Sequence, residues 1–414
     1  MERLIFHIDV NSAYLSWSSV KRVSEGLSDL RLIPACVGGD PMKRTGIVVA
    51  KSIPAKQYGV KTGEPMAMAL RKCPSLVSVK PDFELYDRCS KAFKKICDSY
   101  APAMESFSID EVFLDMSGTG YVYPDPIATA HEIKDRIREE LGFTVNIGVS
   151  VNKLLAKMAS DFEKPDKVHT LFPNEIEKKM WPLPVNKLLF LGKSSASKLQ
   201  KAGIHTIGEL AHCDEREIQA LLGEKSGHQL FSYANGMDDT PVKSVPDDPK
   251  GYSVETTFED DIVSLEQAIP ILLAQTDVVS ARMRRDRKKC SCVAVMFRTT
   301  AFKNKSHQCK LEGSTDVTDE IFEHVKRLFG EAWHGDPLRL IGVSLTSLTD
   351  EEYTQISLFR SANDHAKHQK VDRAVDEIRR KYGNRMIERA GTMKTNSKIG
   401  RKAKAQMEND RFDQ

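Results

Sequence analysis

Three carboxylates in two short, otherwise apolar stretches are the residues best suited to chemistry. Asp9 follows Leu4-Ile5-Phe6-His7-Ile8, and the adjacent pair Asp110 and Glu111 precedes Val112-Phe113-Leu114. Each apolar run has the length of a buried strand, so the acids belong at strand ends, where carboxylates from two distant parts of the chain can converge. Phosphoryl transfer needs such a group. Two Mg²⁺ ions about 4 Å apart, held by oxygen ligands, activate an attacking hydroxyl and stabilise a leaving pyrophosphate. The backbone carbonyl of Val10 can complete a coordination shell. Adjacent residues of an ideal strand point to opposite faces, so Asp110 and Glu111 serve one site only if the strand starts or bends there. Taken alone, an Asp-Glu pair at a strand entry is more simply read as solvated surface.

The elements that must position these residues are legible along the chain. Ala13 to about Val23 is amphipathic and predicts a helix. The stretch from about Leu32 to Val79 is small and mixed, with a turn at Gly38-Gly39, a strand at Ile47-Val48-Val49-Ala50, and breakers at Pro54, Gly63, Pro65 and Pro74. It predicts a compact insert. Phe83, Tyr86, Phe93, Ile96, Cys97 and Tyr100 recur at helical spacing, as do Ile127, Ala130, Ile133, Ile137 and Leu141 ahead of a strand from Thr144 to Val149. Helices packed on a sheet that contains both acidic strands make an α+β domain.

From Pro173 to about Asn235 the chain reads as short helices with glycine turns, and residues 241 to 251 as a linker containing Pro241, Pro246 and Pro249. Beyond it, strands at 253–258, 293–299, 308–312 and 338–345, with helices near 265–287 and 316–330, predict a four-stranded sheet with two helices. The last fifty or so residues are basic and polar, with one helix around Val371, Val375 and Ile378 that ends at Gly383.

At 414 residues the chain exceeds a single core, and domains of roughly 100 to 200 residues predict three or four units. No apolar run approaches the ~20 residues that span a bilayer, and the first run meets Asp9 too early for a signal-peptide core. No membrane role and a cytoplasmic location are expected. The eight cysteines lack paired CxxC spacing, so reduced thiols are expected. The net charge of +3 names no partner, whereas local charge does. Arg282, Arg284, Arg285, Arg287, Lys288 and Lys289 crowd one helix end, with Arg298, Lys303, Lys305 and Lys310 on the strands that follow. A charge run is usually a solvated face, yet a cluster this one-sided is what counterion release from duplex DNA requires.

Longer motifs surround the carboxylates. Ile8-Asp9-Val10-Asn11-Ser12-Ala13-Tyr14 resembles the first metal motif of the Y-family DNA polymerases, in their DNA polymerase IV branch. Ser108-Ile109-Asp110-Glu111-Val112-Phe113-Leu114-Asp115 resembles the second, and Gly148-Val149-Ser150-Val151-Asn152-Lys153-Leu154-Leu155-Ala156-Lys157, continuing to Lys164-Pro165, resembles a helix that brings lysine to the triphosphate. The resemblance runs from residue 1 to about 359. It implies a right-hand polymerase: a palm (1–19 and 80–172) with a ferredoxin-like sheet, small fingers (20–79), a helical thumb (173–240), a linker (241–251), an α+β little finger (252–352), and a C-terminal extension (353–414).

It further implies metal ligation by Asp9, Val10, Asp110 and Glu111, with Glu111 as the third catalytic carboxylate and two Mg²⁺ ions as cofactors. Triphosphate binding falls to Lys164, Lys56 and Ser12. Tyr14 takes the steric-gate position, where a ring under the sugar collides with a ribose 2′-hydroxyl and deoxynucleotides are selected by exclusion; periodicity alone reads it as a core tyrosine. Small residues at Ala50 and Gly63 resemble the roof over the nascent base pair. Where the family commonly has Tyr-x-x-Arg, Ile53-Pro54-Ala55-Lys56 stands here, a point charge without the bidentate fork of arginine.

Leu191-Gly192-Lys193-Ser194 through Leu199, then Gly203-Ile204, resembles a helix-hairpin-helix that offers backbone amides to a DNA phosphate, with Phe190 where the first glycine is usual. The cluster around Arg284, Arg285, Lys288, Arg298, Lys303 and Lys305 becomes a duplex grip without base readout. Gln355-Ile356-Ser357-Leu358-Phe359 resembles the pentapeptide that docks on the sliding clamp (the beta subunit), although by itself it also reads as an edge strand. Primer-template DNA, dNTP and the clamp are the partners implied, for a monomer that makes uncorrected copies past lesions. The competing readings are a catalytically inactive DNA- or clamp-binding accessory protein of the same fold, which should lack the carboxylates, and a nucleotide cyclase, which should lack the DNA-gripping segments after residue 173.

Overall fold

The structure is a computed structural model that describes residues 3–40, 43, 46–350, 362–384 and 386–392. The pentapeptide at 355–359 lies outside the described residues. The chain forms two compact units, residues 1–39 with 47–246, and residues 40–46 with 247–414.

The first unit is built on the sheet that carries the acids. Strand β1 (Ile5–Val10) leads into helix α1 (Ala13–Ser24). A small sheet follows, of β2 (Ala35–Gly38), β3 (Val48–Lys51) and β4 (Val77–Val79), with helices α2 (Ile53–Gln57) and α3 (Met66–Lys72) and its own core around Cys36, Val48, Met66 and Leu76. Next come α4 (Phe83–Asp98), β5 (Ala103–Ser106), β6 (Glu111–Asp115), α5 (Pro126–Leu141), β7 (Val145–Ser150), α6 (Lys153–Ser160) and β8 (Val168–Thr170). The large sheet has the order β5-β6-β1-β7-β8. β1 is its centre and is buried along its whole length.

Alternation along β1 separates two environments. Phe6, Ile8 and Val10 share one face with Val112, Leu114, Val145, Ile147 and Val149, and bury the apolar stripes of α1, α4 and α5. Ile5, His7 and Asp9 share the other face with Glu111 and Phe113, and there α6 lies across the sheet. Gly148 makes that crossing possible. A Cβ on it would lie 1.9 Å from the carbonyl oxygen of Ala156 and 2.6 Å from the amide nitrogen of Ser160.

Short helices complete the unit: α7 (Ile176–Lys179), α8 (Lys193–Lys201), α9 (Ile207–Ala211), α10 (Glu215–Leu222) and α11 (Glu224–Ala234). They enclose a third core with Leu154, Leu155 and Met158 of α6.

The second unit has β9 (Gly251–Ile262), α12 (Leu265–Arg285), β10 (Lys289–Thr299), β11 (Asn304–Thr315), α13 (Thr318–Ala332), β12 (Leu338–Thr349) and α14 (Ala362–Tyr382). Its sheet order is β11-β10-β12-β9, with the helices on one face. Ion pairs fasten α14 and the residues after it to α12 and α13. Arg284 of α12 pairs with Asp372 and Asp376, Arg379 pairs with Asp277, and Arg389 reaches Asp277, Asp319 and Asp372. Gln369 adds hydrogen bonds to Asp316.

Candidate active site

Asp9, next to last in β1, stands opposite Glu111, the first residue of β6. Directly opposed antiparallel residues project to the same face, so these two carboxylates converge. Asp110 precedes the strand, and its carbonyl accepts the Val10 amide at 3.0 Å. The alternation that would have sent Asp110 and Glu111 to opposite faces therefore does not apply to the pair: the strand starts between them.

Each carboxylate has a side-chain partner. The Lys164 ammonium donates to Asp9 Oδ2 and, at 2.8 Å, to Asp161. Lys157 Nζ donates to Glu111 Oε1 at 2.6 Å. Ser108 Oγ donates to Asp110 Oδ1 at 2.6 Å. Burial pushes the Asp9 carboxyl up to about 6; Lys164 opposes this, and the neighbouring Glu111 and Asp110 charges add to it. Lys164 is itself held above the ordinary lysine value, burial being outweighed by Asp9 and Asp161.

A buried concentration of negative charge built from carboxylates, beside a backbone carbonyl, is a donor set of the kind hard divalent cations take. The chemistry of the residues thus fits magnesium. The geometry is not that of a closed ligand cage: among the described residues no three His, Cys, Asp or Glu side chains stand together as a ready-made metal group.

The loop that brings Lys164 to Asp9 is held by two asparagines. Asn146 on β7 donates to the carbonyls of Ser160 and Glu163, at 3.0 and 2.6 Å. Asn11 donates to Asn146 at 3.1 Å and accepts the Asp166 amide at 3.0 Å. Both are buried, and neither was singled out in the sequence, nor were His7 and Lys157. His7 lies on the Asp9 face of β1, and burial, then Lys157 and Lys164, hold its pKa well below the usual value.

Tyr14, on the first turn of α1, is half-buried in an aromatic group. Its ring stacks on Tyr86 at 4.7 Å and meets Trp17 and Phe83 edge-on. Burial, and after it the charge of Asp110, raise its pKa, which places the phenol within the electrostatic reach of the acids. Ser12 is exposed and caps α1 in the left-handed conformation, φ 49°, uncommon for a residue with a Cβ.

Lys56 is exposed on the last turn of α2. Lys51 on β3 lies near enough for Lys56, after burial, to lower its pKa, so the point charge seen in the sequence is half of a lysine pair. Ala50 is on β3 and packs against the core of the large sheet. Gly63 is exposed at φ 84° and donates to the carbonyl of Val48, two residues before Ala50 on β3.

Gly192 is the N-cap of α8 and Lys193 its first residue. Phe190 takes φ 62° and is exposed, so an aromatic residue occupies the left-handed position that a glycine adopts without strain.

In the second unit the basic cluster is divided. Arg284 is turned inward, with 6% of its side chain exposed, and is committed to Asp372 and Asp376. Lys288 pairs with Asp248 and Asp350, and Arg285 with Asp286. Lys305 is registered opposite Phe297 on the helix side of the sheet. Arg298, registered with Asn304, lies on the open face, Lys310 lies there too, and Lys303 is exposed in the turn between.

Residues 8–161 match the impB/mucB/samB family, 249–358 match its C-terminal domain, and 191–238 match a thumb domain described for DNA polymerase iota. The chain is 40% identical over 391 residues to a DNA polymerase IV of Clostridium acetobutylicum, covering 94% of this chain and 98% of that one. It is 35% identical over 400 residues to DNA polymerase IV 1 of Bacillus subtilis, covering 95% and 94%. A solved Y-family polymerase chimera, "Dbh-Dpo4(243-245)-Dbh", superposes with a TM-score of 0.72 at 21% identity, over 84% of this chain and all of that one. The chain belongs to the impB/mucB/samB family, the Y-family DNA polymerases, among the DNA polymerase IV proteins.

Proposed function

We propose that this chain extends a primer by template-directed nucleotidyl transfer at the Asp9–Asp110–Glu111 site, and that it does so past damaged template bases. As a Y-family enzyme it is a DNA-directed DNA polymerase that depends on divalent metal and acts on primer-template DNA and dNTP. The observation that carries the assignment is the opposition of Asp9 and Glu111 on one face of the sheet, with Asp110 one residue before Glu111 and Lys164 alongside.

In this reading Asp9, Asp110, Glu111 and the Val10 carbonyl would hold two Mg²⁺ ions, and Glu111, as the third catalytic carboxylate, directs the primer's terminal hydroxyl. When bound, the ions would lower the pKa of that hydroxyl and neutralise charge on the departing pyrophosphate. Lys164, its charge already shared by Asp9 and Asp161, takes triphosphate oxygens as further acceptors, with Ser12 and the Lys51–Lys56 pair. Tyr14 lies under the sugar. Ala50 and Gly63 leave room over the base pair. The segments enclosed by the three cores of the first unit act as palm, fingers and thumb, and the second unit as the little finger.

Gly192 and Lys193 contact backbone phosphate, as do Arg298, Lys303 and Lys310. Residues 355–359 dock on the sliding clamp, and the polymerase works as a monomer in the cytoplasm. The retained carboxylates argue against an inactive accessory protein. Primer extension on undamaged, abasic and bulky-adduct templates tests the reading: Mg²⁺-dependent synthesis by the parent chain and none by Asp9→Asn or Glu111→Gln is expected. Parent-level synthesis by those variants removes it.

A further inference from the structure

The face of the sheet that carries Asp9 and Glu111 holds a buried chain of hydrogen bonds to which the reading above gives no task. His7 is 0% exposed. Its Nδ1 lies 2.8 Å from Ser160 Oγ, and its Nε2 lies 3.4 Å from Lys157 Nζ. Ser160 commits its one hydroxyl hydrogen to the Lys157 carbonyl at 2.8 Å, so towards His7 it accepts. Nδ1 therefore carries the imidazole hydrogen, and Nε2 presents a lone pair to the ammonium. The opposite tautomer would set N–H against N–H. Lys157 is confined on its remaining sides by Glu111, to which it donates at 2.6 Å, and by the ring of Phe107 at 5.2 Å.

We propose that His7, fixed by Ser160 as the Nδ1–H tautomer, is a positioning residue that holds the Lys157 ammonium against Glu111 and thereby sets where that carboxylate points. A lysine stem has four rotatable bonds and its ammonium binds from many directions. Two anchors, one an imidazole that packing cannot let move, reduce those to one. One oxygen of Glu111 is then tied by Lys157, and the other is aimed. Groups that hold a site's ligands in this way change activity by about 10- to 100-fold when removed.

The inference rests on Glu111 acting at the reacting centre, a reading that fails separately if Glu111→Gln extends primers at the parent rate. The tautomer is tested without reference to activity, by nitrogen NMR of the full chain with labelled histidine, assigned with His7→Gln. A protonated Nδ1 and a bare Nε2 are expected; a protonated Nε2, alone or with Nδ1, overturns the proposal. In primer extension, His7→Leu should lower kcat about 10-fold while KM for dNTP and primer-template affinity stay within about twofold. His7→Gln, whose amide oxygen can stand in the place of Nε2, should recover most of that loss. Equal losses in the two variants, or a loss carried by KM, overturn it. If His7→Leu does not fold, Lys157→Met must show the kcat loss in its place, and a normal kcat there is equally fatal.

Discussion

Asp9 and Glu111 face one another across the β1–β6 ladder, and burial outweighs the Lys164 charge in fixing the state of Asp9. Burial pushes its carboxyl up to about 6, from the ordinary aspartate value of 3.8. A carboxyl whose pKa is raised on folding costs stability wherever it must be ionised in the folded chain. That cost is fully present above about pH 6, shrinks as pH falls from 6 towards 4, and is gone below the unfolded value. Asp9→Asn should therefore stabilise the metal-free chain at pH 7.5, by about 1–3 kcal/mol, and much less at pH 4.5, while polymerisation is lost. Denaturant melts at the two pH values, together with primer extension, measure this. A metal-free variant less stable than its parent at pH 7.5 would show that the Lys164 pair dominates.

Tyr14 stacks on Tyr86 with its phenol near Asp110, an arrangement that holds the ring still. A ring that cannot yield excludes a hydroxyl by overlap, and overpacking of that kind costs roughly 1–3 kcal/mol. Tyr14→Ala should raise ribonucleotide insertion about 10- to 100-fold relative to deoxynucleotide insertion. Single-nucleotide kinetics with matched ribo- and deoxyribonucleoside triphosphates provide the test. An active Tyr14→Ala with unchanged sugar selection returns the residue to a packing role.

Much of this was legible in the sequence, and the exceptions share a cause. Asp9 and Glu111 could be placed because each adjoins an apolar run that is buried whatever its neighbours do. The sheet and two helices of the second unit were legible from long periodic segments. The strands Ala35–Gly38, Ala103–Ser106 and Val168–Thr170 were not, because three or four residues carry too little alternation and their pairing is settled by distant partners. The roles of Asn11, Asn146, His7 and Lys157 were not legible for the same reason, even where a quoted motif contains the residue: their partners lie on other elements along the chain. The pairing of Arg284 was not legible, because a charge run does not reveal that Asp372 and Asp376 return to cover it.

Gly148 carries the crossing of α6 over the sheet. Its replacement by alanine would put a methyl group 1.9 Å from a backbone oxygen, and backbone cannot rotate away as a side chain can. α6 must lift, taking Lys157 from Glu111 and the loop of Lys164 from Asp9. Gly148→Ala should cost about 1–3 kcal/mol or more in denaturant melts and depress polymerisation beyond what the lost stability explains. Gly120→Ala, where a Cβ meets nothing within 4 Å, is the control and should leave both unchanged. Comparable losses in the two variants would remove close approach as the reason.

Arg284 and Lys303 belong to the same basic stretch of sequence but to different tasks. Arg284 is enclosed by Asp372, Asp376 and the Asp316 carbonyl, so truncating it takes one of two guanidinium partners from buried Asp372 and the guanidinium from half-buried Asp376, a loss of up to roughly 3–5 kcal/mol in such networks. Lys303 is exposed in the β10–β11 turn beside Arg298, where removal costs little stability. A phosphate contact is read from the dependence of DNA affinity on salt, whose log–log slope falls by about 0.9 for each contact removed from duplex DNA. Lys303→Ala and Arg298→Ala should each reduce that slope by about one while the melts stay unchanged. Arg284→Ala, measured where it remains folded, should keep the parent slope and lose stability. A reduced slope in Arg284→Ala would mean that the guanidinium leaves its aspartates to meet DNA, and unchanged slopes in the other two would take the open face of this sheet out of the DNA interface.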